Sequence, residues 1–231
     1  MDILAIYNSP ETIAAKTAAV REEAIKESER LRQGGFAGIR AEDLELVFAL
    51  YDREFFGGWL AERARIETGQ DVRLAVPGRM TRAGGRMMHR WRRGPGGGKK
   101  YWYEIVIAGG LLGRSFAVDP RPVKVCGLTC PDAMAALPRL MAHEIVHLAE
   151  FLAWGESRCG GRRFKVIASR LANRRRSSTR CPWASRIVST SRAERSPGGS
   201  IAFSAARRCW SRMGAGRDTP TASDIGSTPC R

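Results

Sequence analysis

The chain has 231 residues, 43% of them hydrophobic, with a net charge of +16 and a pI near 10.6. This length allows one ordinary domain with an appendage, and the positive balance favours acidic partners, nucleic acid first among them, without specifying a fold. No run approaches the roughly 18 apolar residues of a membrane span, and an acid stands near the N-terminus where a secretory signal needs base (Met1-Asp2-Ile3-Leu4). The expected location is therefore cytoplasmic, with no membrane partner. Six scattered cysteines read as free thiols rather than a disulfide framework.

Residues 11–33 read as a charged helix, entered through Ser9-Pro10-Glu11 and ended by Gly34-Gly35. Its few large apolar residues predict loose packing. A second helix is expected from about Ala41, because Leu44, Val47, Phe48, Tyr51 and Phe55 recur at helical spacing before Gly57-Gly58; that stripe reads as core. Residues 71–108 read as strands. Asp71 to Val76 alternates polar and apolar before the Pro77-Gly78 turn. Thr81 to Trp91 is a second strand candidate, weakened by Gly84-Gly85, and Tyr101 to Ala108 is the strongest, rich in aromatic and β-branched residues. Between them, Arg92 to Lys100 reads as a flexible basic loop whose glycines precede no helix, which argues against a phosphate loop. Val123 to Cys126 forms another short extended piece. Cys126 and Cys130 read as ordinary thiols, since no second cysteine pair follows at a zinc-ribbon distance.

Pro131-Asp132 opens a helical region that either starts at Pro138 or bends there, and that runs to about Trp154 with Gly155 as its stop. Within it stands His143-Glu144-Ile145-Val146-His147. On a helix, residues four apart share a face, about 6 Å apart along the axis. Two imidazoles at that spacing can hold one zinc ion, and the glutamate between them can take a proton from a water that the metal acidifies. The same residues could instead be the polar stripe of an amphipathic helix. Against this, the helix is apolar on nearly every side, buried ionisable groups need partners, and two of the three histidines in the chain sit here.

Arg163 to Leu171 continues as a short basic helix. From Ala172 to Arg231 there are twelve Arg, no Lys, eleven Ser and three acids, which together supply +9 of the charge. No helical or strand period survives there. The segment reads as a disordered basic tail, with a nucleic-acid-binding arm as the functional alternative. Such a composition is also what a shifted reading frame of GC-rich coding sequence yields.

Four segments resemble one family in the right order. Leu50-Tyr51-Asp52-Arg53-Glu54-Phe55-Phe56-Gly57-Gly58 resembles the helix end that precedes the sheet in SprT-like zinc metalloproteases, and Tyr103-Glu104-Ile105-Val106-Ile107 their strand beside the active-site helix. Leu140 to His147 resembles that helix, and Ser157-Arg158-Cys159-Gly160-Gly161-Arg162-Arg163-Phe164 the loop and aromatic anchor after it. The resemblance implies an α+β fold with a small zincin-like domain over residues 41–171, flanked by a helical extension over 1–40 and the tail over 172–231. It implies zinc (Zn2+) held by His143 and His147, Glu144 as catalytic base, and peptide-bond hydrolysis. Well-understood relatives act on proteins crosslinked to DNA, so the implied partners are a protein substrate and, through the basic surface and tail, DNA.

The chain departs from the family pattern at the third ligand, where relatives supply a further histidine. The only other one here is His89, upstream on an expected strand. Cys159 lies near the expected loop and thiolate suits zinc. Glu150, one turn beyond His147, is the other candidate, either as a ligand or as a residue that orients the site from outside it. Two alternatives to a peptidase stand open: a non-catalytic nucleic-acid-binding protein, and a truncated or frameshifted SprT-like protein without activity.

Overall fold

The computed structural model describes residues 2–34, 38–78, 84–94, 97–118, 122–125, 128–171 and 226–229. Helix α1 (Pro10–Glu27) has Ser9 as its N-cap, the hydroxyl accepting from Thr12 N–H at 3.2 Å. The expected helix over 11–33 is broken at Ser28, which caps the short α2 (Glu29–Arg32) and donates to buried Asp43 at 2.6 Å. The expectation of loose packing fails. Ile13, Val20 and Ala24 of α1 are buried in the same core as the rest of the molecule, so three well-spaced apolar residues anchor an otherwise polar helix.

Helix α3 (Ala41–Tyr51) runs into a π-helical turn, Asp52–Phe56, that ends at Gly57 with a φ of 62°. Asp52 is buried, and its carboxylate accepts the Leu60 and Ala61 N–H groups at 3.0 and 2.9 Å. It thus caps α4 (Trp59–Thr68), whose own N-cap, Gly58, has no side chain to do so. Strand β1 (Arg73–Ala75) pairs parallel with β3 (Lys99–Ile107), and β2 (Gly85–Arg93) pairs antiparallel with β3. The expected basic loop over 92–100 is shorter than its composition implied. The strands extend into it through Arg93 and from Lys99, and Gly94 N–H bonds to Gly98 O between them. Helix α5 (Gly109–Val118) has no counterpart among the expected elements, because its three glycines hide a helix whose Leu111 and Leu112 are buried.

Strands β4 (Val123–Val125) and β5 (Leu128–Cys130) form a small separate hairpin. Cys130 is buried, with its thiol on the Leu128 and Ala135 carbonyls; Cys126 lies outside the described residues. Helix α6 (Ala133–Trp154) starts at Asp132, whose carboxylate accepts Ala135 N–H at 2.6 Å. It therefore begins before Pro138 and passes through it, leaving one bond of its ladder unmade. Gly155, with a φ of 71°, ends it. Helix α7 (Arg162–Leu171) packs back on α6. Of the tail over 172–231, expected to be disordered, residues 172–225, 230 and 231 lie outside the described residues, and residues 226–229 instead form a strand. This strand, β6 (Gly226–Pro229), pairs antiparallel with the outer edge of β2.

The result is an α+β fold, with seven helices around a small sheet among the described residues. Helix α6 is its axis, touching α1, α3, α4, α5, α7 and strands β2 to β5. Met141, Ile145 and Leu148 are fully buried, and each contributes about 2 kcal/mol by leaving water. Such packing holds the register of His143, Glu144 and His147. Among the described residues no helix is long and apolar enough to cross a membrane.

Candidate metal centre

Helix α6 sets His143 and His147 on one face, their ring centroids 4.9 Å apart and nearly perpendicular. Phe164 of α7, fully buried, packs against both rings at 5.1 and 4.6 Å. The connection from α6 to α7 folds back over this face. Gly161 N–H bonds to Arg158 O at 2.7 Å, and the turn brings the Cys159 sulfur to 3.7 Å from His143 Nε2. One donor atom from each of His143, His147 and Cys159 lies within 4.8 Å of the other two, so the three residues could hold a metal ion. A sulfur and an imidazole nitrogen sharing a tetrahedral zinc at ordinary bond lengths stand about 3.6 Å apart. The Cys159–His143 separation fits that figure.

Glu150 lies outside this cluster. Its Oε2 accepts the Ser157 hydroxyl at 2.5 Å and Arg158 N–H at 3.1 Å, and Ser157 Oγ in turn lies 2.7 Å from His147 Nδ1. A hydroxyl has one proton. With that proton on Glu150, Ser157 accepts from His147 Nδ1–H, which leaves Nε2 of His147 as the lone-pair nitrogen available to a cation. Ser157→Ala should therefore lower metal affinity about 10–100-fold, and Ser157→Thr should restore it. Competition against a chromophoric chelator measures both.

His89 is also apart from the cluster. It sits on β2, stacked on Tyr103 at 4.8 Å and Tyr101 at 5.4 Å, and burial holds its proton affinity below the ordinary histidine value.

Glu144 faces the sheet, with only 4% of its surface exposed. It accepts the Met87 N–H of β2, and Gly85 leaves it room. A Cβ on Gly85 would stand 2.7 Å from Glu144 Oε1 and 3.0 Å from Glu144 Cγ and Ile107 Cδ1. Burial raises the proton affinity of this carboxyl above the usual carboxylate range, while His143, His147 and the Met87 N–H pull it back down. A buried carboxyl beside two imidazoles and a thiol is costly without a cation, and a neighbouring cation would favour its ionised form. Gly85→Ala should crowd Glu144 and destabilise the fold by about 1–3 kcal/mol, read as a lowered thermal midpoint.

Glu144, His143 and His147 were legible from spacing, whereas Gly85, Met87 and Ser157 were not. The Ser157 segment carries a resemblance but no spacing that ties it to His147. Gly85 read as a flaw in a strand. Against known proteins, the chain matches no family model, no curated protein and no solved structure.

Proposed function

We propose that this chain is a zinc-dependent peptidase of the SprT-like, zincin-like kind, with His143, His147 and Cys159 as the ligands and Glu144 as the base. The observation that carries the reading is the convergence of two imidazoles and a thiol, with a buried carboxyl on the intervening turn of the same helix. Two nitrogens and a sulfur form a donor set that suits zinc, and three protein ligands leave a coordination position open for chemistry.

Zinc held there would supply a Lewis-acid centre that polarises the scissile carbonyl and acidifies water. Glu144 takes a proton from the attacking water as its oxygen bonds to the carbonyl carbon. It then delivers that proton to the nitrogen as the C–N bond breaks. His147, oriented through Ser157 and Glu150, would hold the cation through Nε2, and Phe164 packs over the two rings. The substrate is a protein. DNA as an associated partner rests on the +16 charge, and such binding would weaken steeply with salt.

Metal analysis of the purified full-length chain tests the reading. One zinc per chain is expected, with peptide hydrolysis lost to a chelator and restored by zinc. A chain free of transition metal after expression in replete medium would overturn it.

A further inference from the structure

Of the three donors that converge at the candidate centre, two are imidazoles and one is a thiol. A thiol can be oxidised reversibly by two electrons, a step that imidazole does not share, and its susceptibility follows thiolate character and exposure. Cys159 has both. A sulfur that ligates a cation does so as the thiolate. Its side chain is partly exposed, whereas His147 beside it is buried. The next residue is exposed Gly160, which puts no side chain over the sulfur, and even an added Cβ there would meet nothing within 4 Å. Cys130 supplies the contrast. It is fully buried, and its thiol bonds to the Leu128 and Ala135 carbonyls, the environment of an inert structural cysteine.

The turn around Cys159 is held by groups other than its sulfur. Glu150 accepts the Ser157 hydroxyl and the Arg158 N–H, and Gly161 N–H bonds to Arg158 O at 2.7 Å. Phe164, just beyond, is seated against both imidazoles. Chemical change at the sulfur therefore removes a donor while these anchors keep the loop in place, and return of the thiol restores the set of three.

We propose that Cys159 is a site of reversible oxidation by hydroperoxides, through which the centre gives up its zinc and the chain its activity. The inference rests on the zinc reading of the cluster. In the forward step the Cys159 thiolate attacks one oxygen of hydrogen peroxide. The S–O bond forms as the O–O bond breaks, and hydroxide leaves. Sulfur is oxidised by two electrons and the peroxide is reduced. The product is a sulfenic acid, no longer the thiolate that zinc binds. A low-molecular-weight thiol reverses the change. It attacks the sulfenic sulfur and expels water, which gives a mixed disulfide. A second thiol then frees Cys159 and departs with the first as a small disulfide.

The test uses the full-length chain loaded with zinc and a chromophoric chelator that reports release. Hydrogen peroxide should lower zinc affinity by more than about 100-fold, past the bound for a residue outside the ligand set, and dithiothreitol should restore it. Peptide mapping with a dione that captures sulfenic acids should mark Cys159 and leave Cys130 unmarked. Cys159→His, which keeps three donors, should hold its zinc through the same treatment. If Cys159→His binds no zinc, a chain with Cys126→Ser, Cys181→Ser, Cys209→Ser and Cys230→Ser serves instead, and it should respond as the wild type does. Zinc retained by the peroxide-treated wild type would overturn the proposal and leave the peptidase reading intact. So would release that persists in Cys159→His, or that disappears with the four serine substitutions. A chain that releases and regains zinc as expected but hydrolyses no peptide would sink the peptidase reading and leave the oxidation site standing. A chain that takes up no zinc ends both.

Discussion

Glu144→Gln should lower peptide hydrolysis by about 10²–10⁴-fold, the contribution of one well-placed general base, while zinc content stays at the wild-type level. The two readouts separate because Glu144 is not among the three clustered donors. Its carboxyl is held between Gly85 and the Met87 N–H, and Gln is close enough in shape to keep that position. The amide can still accept from Met87, but it cannot shuttle a proton. Hydrolysis unchanged in the variant would remove Glu144 from the chemistry. Loss of zinc together with activity would show that its charge is needed to hold the cation.

Cys159→Ala should lower zinc affinity by more than the roughly 100-fold that bounds the loss of a residue outside the ligand set, and Glu150→Ala should stay within that bound. The difference follows from position. The Cys159 sulfur stands at 3.7 Å from His143 Nε2, whereas both contacts of Glu150 are to Ser157 and Arg158. Cobalt substitution gives a second measure, since a sulfur-to-metal charge-transfer band should be present in the wild type and absent in Cys159→Ala. The reverse order of affinities would make Glu150 the third ligand and Cys159 a bystander.

The departures from expectation have physical reasons. The break at Ser28 arises because its hydroxyl has two better uses, capping α2 and bonding Asp43, than completing a longer helix. Helix α5 is not legible in the sequence because its glycines carry a poor helix propensity, and burial of Leu111 and Leu112 is what stabilises it. Gly85 looked like a weakness in β2 and is instead the space that Glu144 occupies.

Local sequence determined the elements whose signals are periodic or covalent: the apolar run of α6, the four-residue spacing of its histidines, the stop at Gly155 and the aromatic, β-branched strand β3. These depend on interactions within a turn or along a strand, so they are written in neighbouring letters. Tertiary structure alone decided between Cys159 and Glu150 for a place beside the histidines. Both lie within one loop or turn of His147, and no local rule distinguishes them. Which one reaches the cluster depends on how the segment after Gly155 folds back, and that is set by the seating of Phe164 and by the hydrogen bonds joining Ser157 and Arg158 to the Glu150 carboxylate.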